Sequence, residues 1–166
     1  TIDVFETGAS EAYAISDLTE TYRDYVSSYK RGVKLYDNRT KFLVQDEVVM
    51  TSPSEAYSFI NIYKADIKIA ADGCSAVISK GNKKLYMKVL CNRNYTMSVM
   101  EAAPLPTSPA VTEGEIDYTD DYQRIAIHFD EVSDFNLTVI FIPYLDNAEL
   151  TDVSASVIPF SYWSID

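Results

Sequence analysis

Few side chains in this sequence are able to do chemistry, and their spacing limits what they can do. There is one histidine, His128. A His-rich metal site and a two-histidine acid/base pair are therefore excluded. In Ile125-Ala126-Ile127-His128-Phe129 it alternates with apolar Ile127 and Phe129 and shares a face with Ala126. It reads as a strand residue on the less buried face, with no nucleophile or orienting acid to assign to it. Asp46 and Glu47 are adjacent, and strand neighbours point to opposite faces, so they cannot act together on one substrate. Asp117, Asp120 and Asp121 form a second acid cluster. A calcium loop needs about six to eight oxygen ligands, and this spacing matches no such loop, so solvated acids are expected. There is no Gly-rich phosphate loop and no Ser-centred nucleophile elbow. No metal, no cofactor and no self-contained active site are expected.

The elements that would position these residues follow from length and composition. The chain has 166 residues, 47% hydrophobic and 23% charged, which is ordinary for one globular domain spanning residues 1–166. No stretch approaches the ~18 uninterrupted apolar residues of a membrane helix. Net charge is -11, from 25 acidic against 14 basic residues. No Lys/Arg cluster is present to displace phosphate counterions, so neither nucleic acid nor an anionic membrane is an expected partner. Thr1 opens directly into Ile2-Asp3-Val4-Phe5, so the chain reads as a processed product or a piece of something longer. Asn38, Asn94 and Asn136 head glycosylation sequons, which matter only in a eukaryotic secretory context.

Tyrosine is abundant, at 13 residues, while glycine is scarce, at 5. Tyr-rich, β-branched sequence favours pleated strands. The periodicity is almost entirely two. Strands are predicted at 12–16, 29–36, 41–50, 57–63, 67–71, 75–79, 83–91, 95–102, 123–129 and 137–143, with a weaker one at 153–160. About ten closely spaced strands punctuated by turn residues predict an all-β antiparallel sandwich. Residues 17–28 have poor helical spacing and read as a loop with a helical turn. Residues 103–121 carry Pro104, Pro106, Pro109 and Gly114 and read as a long surface connection within the same domain.

Two hairpins can be registered. Around Asn38-Arg39, Leu35 should face Phe42, Val33 should face Val44, and Arg31 should face Asp46. That face is mostly apolar and is expected to be buried, with an Arg31–Asp46 ion pair at its end. Lys30, Gly32, Lys34, Gln45 and Glu47 take the opposite face, with Lys30 across from Glu47. Around Gly81-Asn82, Ile78 should face Leu85 and Ala76 should face Met87. Cys74 and Cys91 then lie diagonally. Diagonal Cα separations of about 7–8 Å exceed the usual reach of a disulfide, so two buried thiols are expected.

At Arg31-Gly32-Val33-Lys34-Leu35-Tyr36-Asp37-Asn38-Arg39 and Phe42-Leu43-Val44-Gln45-Asp46-Glu47-Val48 the sequence resembles a known family. These two segments are similar to a paired strand motif in the C-terminal β-sandwich of the heparinase II/III-like polysaccharide lyases. The stretch Ala12–Thr19 with Tyr22, the strand start Ala65-Asp66-Ile67, the Asp72-Gly73 turn and Ala76-Val77-Ile78 extend the resemblance over about residues 10 to 145. The resemblance implies an α/α toroid preceding the sandwich, and β-elimination as the chemistry of the whole enzyme. A base removes the proton next to a uronate carboxylate, and the glycosidic oxygen leaves with an acid's help. Tyr and His usually serve, chiefly from the toroid and adjoining sheet, so no catalytic residue is carried over to this chain. One departure stands out. Ile62-Tyr63 lies about where relatives often have a His-Thr pair.

The resemblance implies an accessory sandwich domain of a bacterial, periplasmic or secreted lyase of acidic polysaccharides. It would buttress the toroid and shape part of the glycan cleft, and would be inactive alone. Gln45, Glu47, Asn61 and Tyr63 are the candidate substrate-binding residues, and Arg31 with Asp46 the structural ion pair. Two alternatives use the same residues differently. A stand-alone carbohydrate-binding module would present aromatics in a row, for which Tyr57, Phe59 and Tyr63 are candidates at period two. A purely structural sandwich would assemble through exposed strand edges.

Overall fold

The computed structural model describes residues 1–104, 106, 121–145 and 156–165. Nine strands are present among them: β1 (Ile2–Thr7), β2 (Ala12–Asp17), β3 (Val26–Tyr36), β4 (Lys41–Tyr63), β5 (Asp66–Ile69), β6 (Ser75–Lys80), β7 (Lys83–Cys91), β8 (Thr96–Glu101) and β9 (Tyr122–Leu145). All pairings are antiparallel, in the order β1-β2-β3-β4-β9-β7-β6-β5, with β8 also on β9. The all-β expectation holds.

Two strands turn this single hydrogen-bonded sheet into a sandwich. β4 and β9 run through both layers. Their pairing shifts register between Val49 and Ser54 and again between Ser54 and Ala56. Pro53 sits in that stretch and has no N–H to give the ladder. The first layer is β1-β2-β3, the N-terminal half of β4, the C-terminal half of β9, then β7-β6-β5. The second is the C-terminal half of β4, the N-terminal half of β9, and β8. The core lies between them, where Val48, Ala76, Ile78, Met87, Val89 and Val139 of one layer meet Ile125, Ile127 and Phe129 of the other. Burial of these side chains is the main force closing the bend.

This corrects the element list. The predicted pairs 41–50 with 57–63, and 123–129 with 137–143, are each one strand, because the ladder continues through the bend at Ser54–Val132. β1 was not predicted. Ile2 and Phe5 are 69% and 67% exposed, and only Val4 among its apolar residues packs against a core cluster, so the strand shows no apolar alternation. The weak strand at 153–160 is absent in its described part, where Pro159 leads into a 3-10 turn at Phe160–Tyr162. The 3-10 turn at Glu20–Tyr22 is the helical turn expected within the loop at 17–28. Most of the predicted connection at 103–121, including Asp117 and Asp120, lies outside the described residues.

Both hairpin registers are as expected. Arg31 pairs with Asp46, Val33 with Val44 and Leu35 with Phe42. Ile78 pairs with Leu85 and Ala76 with Met87. Asp37, Asn38 and Arg39 all adopt left-handed backbone, with φ of 53°, 54° and 61°. Asn and Asp tolerate this conformation best among non-glycine residues.

The expected burial of the β3–β4 face is only half right. Val33, Phe42 and Val44 are half-buried and Leu35 is 36% exposed. The opposite face is the more deeply covered there, since residues 158–165 lie across it. Phe160 and Trp163 form a second cluster with Tyr13 and Ile15.

Candidate functional site

The four candidate binding residues do not converge. Gln45 and Glu47 lie on the outside of the first layer, and Asn61 and Tyr63 on the outside of the second. The bend in β4 separates them. Gln45 is 1% exposed. Its Oε1 accepts from Thr138 Oγ1 at 2.9 Å, and its Nε2 donates to Ile158 O at 2.8 Å and Glu47 Oε1 at 3.2 Å. Glu47 Oε1 also accepts from Phe160 N at 2.8 Å. These two side chains therefore anchor the C-terminal segment, and Gln45 has no surface to offer a ligand.

Asn61 and Tyr63 share an outer face with Tyr57 and Phe59, while Ala56, Ile60 and Ile62 point into the core. Alternation along β4 produces this division. Tyr63 packs beside Tyr122 at 5.0 Å, with Lys64 and Lys80 over its ring. Arg124 lies over Phe59 at 4.8 Å and donates through Nη2 to Ala103 O. Lys64 pairs with Asp121 at 2.9 Å.

His128 lies on this outer face too, opposite Tyr57 in the ladder. The rings stack at 4.3 Å and 12°. His128 Nε2 stands 2.9 Å from Glu55 Oε1, and Nδ1 3.7 Å from Asp130 Oδ1. The structure thus supplies the orienting acid that the sequence did not reveal. Glu55 falls in the bend between two predicted strands, where parity gave no guide. The same Glu55 oxygen accepts from the Tyr57 hydroxyl at 3.1 Å. Partial desolvation, then that hydrogen bond, push the Tyr57 phenol up from 10.0. Tyr57 is held protonated, which suits a donor or a stacking face and opposes a role as base.

Among the described residues the second half of β4 pairs only with β9 and so forms an edge of its layer, and a groove of about 330 Å³ runs between it and β3. Tyr22 and Tyr25 precede β3; Tyr29 and Arg31 lie on it; Asp46 comes from the first half of β4, Tyr57 and Phe59 from the second. Val26, Val48, Met50, Ala56, Ser58 and Phe135 complete the lining. Arg31 and Asp46 meet in a fork, Nε to Oδ1 at 2.7 Å and Nη2 to Oδ2 at 2.8 Å. The Asp46 side chain is 5% exposed and that of Arg31 is 42%. The hydrogen bond to Asp46 raises the Arg31 pKa further. Burial, then the Asp46 charge, push the Tyr29 phenol well above its usual range. Of the tyrosines before β3, the sequence marks Tyr22 only through the family resemblance and Tyr25 not at all, because their segment shows no periodicity.

Cys74 and Cys91 are unpaired, as the diagonal register requires. They are half-buried rather than buried, because Cys74 precedes β6 and Cys91 ends β7 at the sheet's margin. Desolvation raises both thiols above 9.0. Among the described residues no three His, Cys, Asp or Glu side chains are grouped to hold a metal ion.

This architecture is an antiparallel sandwich built on two long bent strands, with a tyrosine-lined groove at one edge. Solved structures sharing it include heparinase III, the BT4657 gene product, at a TM-score of 0.66 and 9% identity over 87% of this chain and 21% of that one. A second heparinase III structure gives a TM-score of 0.66 and 15% identity, covering 89% of this chain and 21% of that one. Heparan sulfate lyase HepC from Pedobacter heparinus gives 0.67 and 13%, covering 90% and 22%. This chain thus corresponds to about a fifth of each of these proteins. No protein-family model and no curated protein sequence matches it. At such identities the likeness establishes the fold.

Proposed function

We propose that this chain is an accessory β-sandwich domain of a bacterial polysaccharide lyase, the counterpart of the C-terminal sandwich in heparinase II/III-like enzymes. The observation that carries this reading is the fold match, in which nearly the whole chain superposes on about a fifth of each heparinase. The motif hairpin supports it, with the register and the Arg31–Asp46 fork given above. In this reading an α/α toroid encoded ahead of Thr1 supplies the base and acid for β-elimination. The sandwich buttresses the toroid and forms part of the wall facing an acidic polysaccharide. Export to the periplasm or beyond gives the enzyme access to such a polymer. The chain by itself lacks activity, in keeping with Ile62 where relatives often have histidine.

The gene sequence ahead of the Thr1 codon tests this reading. Several hundred helix-patterned residues containing Tyr, His and Asn are expected. A signal peptide directly before Thr1 would overturn the lyase reading. A stand-alone carbohydrate-binding module would then lead, favoured by the outward row of Tyr57, Phe59 and Tyr63, of which Tyr57 and Tyr63 are 36% and 46% exposed.

A further inference from the structure

We infer that the groove between β3 and the second half of β4 is a binding subsite for a carboxylate-bearing sugar, with Arg31 as its anion contact. The inference deepens the function proposed above and rests on it for the kind of polymer involved.

Charge is the first argument. The chain carries a net charge of -11, yet the groove presents a cation. Among the described lining residues Asp46 is the one acid, and its carboxylate is shielded beneath the guanidinium, 5% exposed against 42%, while Glu55 reaches the Tyr57 hydroxyl from outside the lining. A guanidinium has five N–H donors in a rigid plane. The fork to Asp46 uses Nε and one hydrogen of Nη2, leaving donors on the solvent side for a second carboxylate. The fork also fixes the plane in advance, so little side-chain entropy is lost on binding.

The walls are the second argument. Tyr22, Tyr25 and Tyr57 are 45%, 69% and 36% exposed. A phenol ring offers a flat apolar face to the C–H side of a pyranose and a hydroxyl to its polar rim. Tyr29 and Tyr57 are kept neutral, for the reasons above, so neither repels an anion. Tyr22 and Tyr29 pack at 5.2 Å, and Arg31 lies over Tyr29 at 5.8 Å, which holds one wall rigid. A volume of about 330 Å³ is at the small end for ligand sites and suits a sugar unit within a longer chain.

The test uses the chain itself. It is titrated, by calorimetry and by NMR of the tyrosine rings, with a hexasaccharide of alternating glucuronic acid and N-acetylglucosamine. The carboxyl-reduced neutral form is titrated in parallel. The acidic form should bind about tenfold more tightly, and less so as salt is raised. Tyr25→Ala, at an exposed position that should not disturb folding, should weaken binding about three- to tenfold. The double variant Arg31→Met/Asp46→Leu, which leaves no buried charge unpaired, should bind the two forms alike. Equal wild-type affinity for both forms, no binding, or indifference to both variants would overturn the subsite. If the full gene product cleaves an acidic polysaccharide and this groove does not bind, only the subsite falls. If the groove binds and the gene product has no lyase activity, only the lyase reading falls.

Discussion

Phe160 lies directly on the backbone of Gly32. A Cβ at Gly32 would stand 2.9 Å from Phe160 Cζ and 2.9 Å from Trp163 Cη2. Glycine is needed here for space and not for an unusual φ. The Arg31-Gly32 pair thus does two jobs on one strand. Arg31 forks onto Asp46 on the inner face, and Gly32 opens the outer face to two aromatic rings. Gly32→Ala should destabilise the protein by about 1–3 kcal/mol, the usual penalty for overpacking. Urea unfolding followed by Trp163 fluorescence reads this directly, and an unchanged midpoint would mean that the C-terminal segment does not rest there.

Arg31→Ala should cost more than loss of a surface ion pair. It leaves the Asp46 carboxylate 5% exposed with no cation beside it. Breaking a buried pair costs about 3–5 kcal/mol, and the partial exposure of Arg31 places the expected loss at the lower end. Arg31→Met/Asp46→Leu should recover most of it. Comparing the two variants in urea separates the penalty of an orphaned charge from any net worth of the pair.

Glu47→Ala should loosen the C-terminal segment selectively. It removes the acceptor for Phe160 N–H and one partner of Gln45. A hydrogen bond to a charged group contributes about 1.5–3 kcal/mol, and this loss should appear as local opening. Hydrogen exchange at Phe160 and Trp163 should speed up, while Ile125 and Ile127 in the core remain protected.

Asp72 gives the acid limb of stability a specific contributor. Its Oδ1 accepts from Cys74 N at 3.0 Å and from Ser75 N at 3.2 Å. The Cys74 backbone bond, aided by Ser75, holds the carboxyl below 3.8. A depressed carboxylate contributes its stability fully above the unfolded value and loses it as pH falls through the folded value. The Asp72 contribution should therefore be constant at neutral pH and decline progressively as pH falls below about 3.8. In Asp72→Asn the urea midpoint should be lower at neutral pH, and its difference from wild type should shrink below that point.

Much of the first layer was legible because local pairing fixed it. Val33–Val44, Ile78–Leu85 and the glycine and asparagine turns specify register over a few residues. The bend was not legible. Residues 51–56 and 130–136 look like breaks, yet the ladder crosses them because both strands bend together around one core. The Tyr57–His128 stack and the Glu55 contact depend on that distant pairing, so no local signal announces them. The covering of Gln45 depends on a segment more than a hundred positions away, which is why a buried anchor read as a candidate for solvent or substrate. The groove joins an aperiodic stretch, Tyr22–Tyr25, to a strand edge, and only the folded chain brings them together.

The central claim is that this sandwich serves a polysaccharide lyase and does no chemistry alone. The direct measurement is release of unsaturated uronate from heparan sulfate and related acidic polysaccharides, with the chain and the full gene product assayed in parallel. The account predicts unsaturated products from the full gene product and none from the chain. Unsaturated products from the purified chain, or none from the full gene product on any acidic polysaccharide, would contradict it.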